Sequence, residues 1–124
     1  MEYAERLLAE RKKPEHSIRA RTEGLITRSL PGTIPQAEVI ASNLGMSLRT
    51  FGRRLKEEGT SYRDIVDDLR CDLAQTFLTN RMTLSEISFS LGYADQAAFS
   101  TAFKRWTGQP PSAFKTRVEH PLQR

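Results

Sequence analysis

The sequence predicts an all-α fold of seven helices, in which a short two-helix unit occurs twice and a long central helix joins the copies. Three observations predict it. No stretch alternates apolar and polar residues over more than a few positions, whereas apolar residues recur at three- and four-residue spacing. Gly and Pro punctuate the ends of those apolar runs, where helices stop. The block Ile40-Ala41-Ser42-Asn43-Leu44-Gly45-Met46 is echoed by Ile87-Ser88-Phe89-Ser90-Leu91-Gly92-Tyr93, and Ile40 to Ile87 and Gly45 to Gly92 both span 47 residues.

The elements follow in order. A first helix is expected from Ile18 to Leu30, capped by Ser17, with Ile18, Leu25, Ile26 and Leu30 on one face and Pro31-Gly32 as its stop. A second begins near Pro35 and carries Val39, Ile40 and Leu44, with Gly45 as the turn residue. Ser47 caps a third, which reaches Glu58 and ends at Gly59. The fourth opens at Ser61 with Asp64 as capping-box partner and runs to about Thr79, with Tyr62, Ile65, Val66, Leu69, Leu73 and Phe77 as its apolar stripe. Thr83 and Glu86 form the next capping box, ahead of Gly92. Asp95 caps a sixth helix through Trp106, Gly108 stops it, and Pro110-Pro111 introduces a last short helix containing Phe114. Residues 17–118 thus form the double unit. Residues 1–16 are expected to be a linker or the tail of an upstream domain, and 119–124 a C-terminal tail.

Counted from their caps, the helices after the two turns fall into register. Phe51 and Leu55 match Phe99 and Phe103 at the fourth and eighth positions, one turn apart, and these are the expected buried faces. A short helix, a small residue (Ala41 or Ser88), a glycine turn and a second helix with such a face describe a helix-turn-helix.

Composition bounds the function. Hydrophobic residues make up 38% and charged residues 27% of 124, enough for a modest core and too apolar for global disorder. No apolar run has the length of a membrane span, and the charged N-terminus lacks the apolar centre of a secretory signal. The lone Cys71 cannot form an internal disulfide, which fits a reducing cytoplasm, and its mid-helix place reads as packing. Net charge is +4, with a pI near 9.6. Arg49, Arg53, Arg54 and Lys56 form one acid-free basic block, and Lys104, Arg105, Lys115 and Arg117 another. Between them lie Glu57, Glu58, Asp64, Asp67, Asp68 and Asp72. Two basic blocks at matching structural positions point to a polyanion, double-stranded DNA.

If Phe51 and Leu55 point inward, Arg49, Arg53 and Lys56 point outward. Arg49 and Arg53 lie one turn apart on the same face. An arginine fork pairs with guanine O6 and N7 in the major groove; the alternative is that both contact phosphates only. Gly52 between them either lets the helix sit deeper in the groove or is merely tolerated. On the sixth helix Gln96, Ala97, Ser100 and Thr101 form the leading face; Gln96 suits adenine, and Ala97 or Thr101 a thymine methyl. That face is less polar, so the second unit is expected to position more than it specifies. Ser47, Arg54, Lys56, Ser100, Lys104 and Arg105 are the expected phosphate contacts. A central helix of about 19 residues spans roughly 28 Å, against about 34 Å between successive major-groove faces. One chain therefore has the length to read two adjacent grooves.

The stretches IASNLGMSLRTFGRRLKEEGTSY and TLSEISFSLGYADQAAFSTAFKRWTGQPPSAFK resemble the DNA-binding domain of the AraC/XylS family of bacterial regulators, over about residues 18 to 117. The resemblance implies a seven-helix double helix-turn-helix and control of transcription, most often activation through contact with RNA polymerase. It places the base-reading positions on Arg49, Arg53, Gln96, Ala97 and Thr101. Two departures stand out: members often have arginine where Thr101 stands and a polar residue where Gly52 stands. Many members carry a further domain for a small effector or for dimerisation. This chain has no room for one before the first helix, so it is either a fragment of a larger regulator or a short single-domain member, and any effector acts through a domain absent from it.

Two other classes of function fit the sequence less well. Against an enzyme, His16 and His120 sit at opposite ends, and no phosphate loop or metal-ligand spacing appears, so no cofactor is expected. For a protein-docking module, the acids Asp67, Asp68 and Asp72 offer a surface, for polymerase among others, although an exposed solvated face accounts for them better.

Overall fold

A computed structural model describes residues 17–114. The expected linker at 1–16, the tail at 119–124 and the basic residues Lys115 and Arg117 lie outside the described residues. Among those described there are six helices and no strand: α1 (Ile18–Ser29), α2 (Ala37–Asn43), α3 (Leu48–Glu57), α4 (Tyr62–Thr79), α5 (Leu84–Ser90) and α6 (Gln96–Thr107). A further helical stretch begins at 111–114. Packing divides the described residues into two units: 17–28 with Pro35–Val66, and Ser29–Ile34 with 67–114.

In the first unit Ile18, Thr22 and Ile26 of α1, Ile40 and Ala41 of α2, Phe51 and Leu55 of α3, and Ile65 of α4 are buried. The face of α1 departs from expectation, since Leu25 and Leu30 are only half-buried and Thr22 is fully buried. Thr22 is admitted because its hydroxyl donates to the Ile18 carbonyl at 2.7 Å, which leaves no polar atom unsatisfied. Val39 is half-exposed, and the α2 seam passes through Ile40 and Ala41. The start of α1 is fully accounted for. The Glu58 carboxylate accepts from the N–H groups of Ile18 and Arg19 at 2.9 and 3.0 Å, and Ser17 Oγ accepts from Ala20 N at 2.9 Å. Tyr62 tilts against Phe51 with ring centroids 6.0 Å apart, and its hydroxyl donates to the Pro35 carbonyl at 2.6 Å.

The second unit packs Ala74 and Leu78 of α4, Ile87 and Leu91, and Phe99 and Phe103 of α6 into one buried cluster. Leu73 and Phe77, expected to line it, are partly buried at its margin, and Ala74 and Leu78 take the centre. Phe103 meets Phe99, Trp106 and Phe114 at centroid distances of 5.8, 6.3 and 5.9 Å. Such pairs contribute about 0.5–1.5 kcal/mol each beyond area burial. The capping box of Thr83 and Glu86 is complete in both directions.

The two turns are alike down to their hydrogen bonds. In the first, Met46 N donates to Ala41 O and Gly45 N to Ser42 O, both at 2.9 Å. In the second, Tyr93 N donates to Ser88 O at 2.9 Å and Gly92 N to Phe89 O at 3.1 Å. Each is the pair of hydrogen bonds that ends a helix through a left-handed residue. Gly45 and Gly92 supply that residue at φ 73° and 84°. The central helix ends the same way at Arg81, where φ is 65° and Met82 N donates to Phe77 O at 3.1 Å.

Candidate nucleic-acid interface

Helix α3 begins at Ser47, whose hydroxyl accepts from Thr50 N at 3.1 Å, and buries Phe51 and Leu55 completely. At 100° per residue the point opposite that seam is Arg53, flanked by Arg49 and Lys56 on one side and Glu57 on the other. All four are exposed, as are Ser47 and Arg54, which lies off the centre of the face. Gly52 is exposed too, and a Cβ added there would meet nothing within 4 Å. The bare strip beside Arg49 and Lys56 is therefore open to whatever the helix approaches. The guanidinium of Arg53 is not idle: its Nη1 donates to Glu57 Oε2 at 3.0 Å.

Helix α6 begins at Asp95, whose carboxylate accepts from Ala98 N at 2.8 Å, and buries Phe99, Ala102 and Phe103. Gln96, Ala97, Thr101, Lys104 and Arg105 are exposed and Ser100 is half-buried. The centre of the outward face falls between Ala97 and Thr101, with Lys104 beside them. Arg105 is committed elsewhere. Its Nη2 donates to both Asp67 carboxylate oxygens, at 3.3 and 3.4 Å, so a phosphate contact from Arg105 must share or break this pair.

That pair changes the account of the acidic stretch. Asp67 is only about a quarter exposed and is matched by a cation within its own unit. Nearby, the Arg70 guanidinium carbon stands 4.2 Å over the Tyr93 ring, and its Nε donates to the Leu91 carbonyl at 3.0 Å. Arg70 thus fastens the second turn to α4. Burial raises the Tyr93 hydroxyl above its ordinary pKa, partly offset by Arg70. Cys71 is half-buried, and burial raises its thiol as well. The pairings of Glu57 and Asp67 did not stand out from the sequence. The four-residue spacing of Arg53 and Glu57 was a usable signal, whereas Asp67 and Arg105 lie 38 residues apart.

Among the described residues no group of His, Cys, Asp and Glu is placed to hold a metal ion. No described helix is long and apolar enough to cross a membrane.

Comparison with known proteins bears on this geometry. A family model described as a helix-turn-helix domain matches residues 40–117. The ornithine utilization regulator of Pseudomonas aeruginosa is 39% identical over 100 residues, covering 75% of this chain and 30% of that protein. The chain therefore spans about a third of the length of such relatives. Among solved structures, the transcriptional regulator CdpR from Pseudomonas aeruginosa superposes with a TM-score of 0.74 at 34% identity, over 82% of this chain and 32% of that one. The DNA-binding domain of AdpA, a global transcriptional factor in complex with a target DNA, superposes with a TM-score of 0.71 over 86% of this chain and 98% of that one. At 24% identity the likeness to AdpA concerns the fold. Two glycine-turned helix pairs with matching buried registers, and a family model matched across both, place the chain in the AraC/XylS family of DNA-binding helix-turn-helix regulators.

Proposed function

We propose that the chain binds duplex DNA sequence-specifically, with α3 and α6 entering adjacent major grooves of one duplex. The observation that carries this reading is the outward face of α3. Arg49 and Arg53 stand one turn apart, opposite a fully buried Phe51 and Leu55, beside a strip left bare by Gly52. Arg49 and Arg53 read bases, and Ser47, Arg54 and Lys56 hold phosphates. On α6, Gln96, Ala97 and Thr101 make the base contacts, while Ser100, Lys104 and Arg105 bind the backbone. Since that face carries no arginine at its centre, it positions more than it specifies. The 18 residues of α4 amount to roughly 27 Å of helix, in keeping with two readers serving successive grooves about 34 Å apart.

The chain serves as the DNA-binding part of a cytoplasmic regulator, with RNA polymerase as a further partner and effector response residing in other parts of the regulator. It carries out no catalysis. The test is the Arg53→Ala variant, measured on a duplex selected by the unmodified chain from a random library and on random duplex of equal length. A loss of about 1–3 kcal/mol on the selected duplex and much less on random DNA is expected. Equal losses on both would reduce Arg53 to a phosphate contact, and a footprint confined to one groove would remove α6 from the reading.

A further inference from the structure

Glu57 is an acid where local electrostatics disfavour one. It sits in the last turn of α3, where the helix dipole disfavours negative charge, and on the face that carries Arg49, Arg53 and Lys56. It also follows its arginine in the chain, the less favourable order for a pair four residues apart. Both side chains are nearly three-fifths exposed, so their 3.0 Å bond adds little to the stability of the free chain.

We infer that Glu57 is a specificity-determining residue, one that makes Arg53 a base reader by occupying one edge of its guanidinium. This rests on the reading of Arg53 as a base contact. A guanidinium has five N–H donors in a planar fork. With Nη1 turned to Glu57, the donors on the other nitrogens remain for the two acceptors of a guanine edge, and the side chain is held along the helix surface. A phosphate reaching for the same group must approach the carboxylate as well, and like charges repel. Glu57 therefore discriminates by penalising the wrong partner rather than by touching the right one. The corresponding position of α6, tenth from its cap, is Arg105, which is turned to Asp67, while Thr101 stands where Arg53 does. The second unit lacks the device, in keeping with its weaker part in readout.

The experiment compares the unmodified chain, Glu57→Gln, Arg53→Ala and the double variant on the two duplexes described above. With Arg53 present, Glu57→Gln should tighten binding to random duplex about three- to tenfold and leave the selected duplex nearly unchanged, so the preference falls by the same factor. With Arg53 replaced, Glu57→Gln should tighten both duplexes alike and leave the preference where it was. An unchanged preference in Glu57→Gln, or an equal fall in the Arg53→Ala background, would overturn the inference while leaving the base-reading role of Arg53 intact. If Arg53→Ala alone leaves the preference unchanged, the base-reading role falls, and the inference falls with it. Circular dichroism melts of all four chains separate these outcomes from loss of fold.

Discussion

Replacing Glu58 with alanine removes the carboxylate that ties the end of α3 to the start of α1. Two of the four N–H groups that a helix start leaves without intrahelical partners lose their acceptor, those of Ile18 and Arg19. A charge-assisted bond of this kind contributes about 1.5–3 kcal/mol in a protected setting. Glu58 is exposed, and solvent will replace part of what is lost. The expected cost is therefore about 1–2 kcal/mol, in the upper range for loss of a helix cap. For a domain of this size that lowers Tm by about 5–10 °C. Glu58→Gln keeps one carbonyl acceptor and should cost about half as much. The control is the next residue: Glu57→Ala breaks only an exposed pair and should stay within about 0.5 kcal/mol. Thermal melts followed by circular dichroism read all three. If Glu58→Ala and Glu57→Ala melt together, the Glu58 cap does not hold the first unit as described.

Gly45→Ala and Gly92→Ala both force a side chain into left-handed backbone, which costs about 1–2 kcal/mol. Only the Gly92 Cβ would also collide with the Gly32 carbonyl oxygen and crowd Arg70, so Gly92→Ala should melt clearly lower, and equal melting would contradict the packing around that turn. Arg81→Gly relieves the same strain at the end of α4, with unfolded-chain entropy offsetting part of the gain. It should raise stability by about 0.5–1 kcal/mol in urea titration, and a loss would refute it. Burial raises the Cys71 thiol, and the nearby aspartates add to this, while the amide of Gln75, donating to Sγ at 3.3 Å, opposes it. The folded chain then keeps this proton at pH values where the unfolded chain loses it. The associated stability is present below the ordinary thiol pKa and fades as pH rises above it. Alkylation at pH 8 should be slow in the folded chain and fast in urea, and equal rates would show the thiol to be unshielded.

Much of this architecture was legible because it is local. Caps at Ser17, Ser47, Ser61, Thr83 and Asp95 each have their hydrogen bond, and each sits immediately before its helix. The register of Phe51 and Leu55 against Phe99 and Phe103 follows from helical period alone, and all four are buried. What was misread depends on which of two adjacent apolar residues meets a neighbour. Leu73 against Ala74, or Phe77 against Leu78, differ by 100° around a helix, and periodicity does not choose between them when both are apolar. The end of α4 was placed without a stop signal, since Arg81 takes a conformation that its residue type does not announce. The partners of charged residues were least legible. Asp67 looked like one of several solvated acids because Arg105 reaches it only after the second unit has folded.

The two units share a scaffold and differ in what it displays. Their buried positions match in kind: Ile40 with Ile87, Ala41 with Ser88, Phe51 with Phe99 and Leu55 with Phe103. Packing constrains those positions, since a change of one methylene in a core is felt. The outward positions carry no such constraint, and there the units diverge from Arg49 to Ala97, from Arg53 to Thr101 and from Glu57 to Arg105. The fold therefore sets where a reader stands, and only the outward residues set what it reads. That separation explains how the fold can be recognised from half a dozen apolar and glycine positions while the target of the protein stays a matter of a few exposed side chains. An acid such as Glu57, which the scaffold does not need, is therefore placed to act on selectivity rather than on folding.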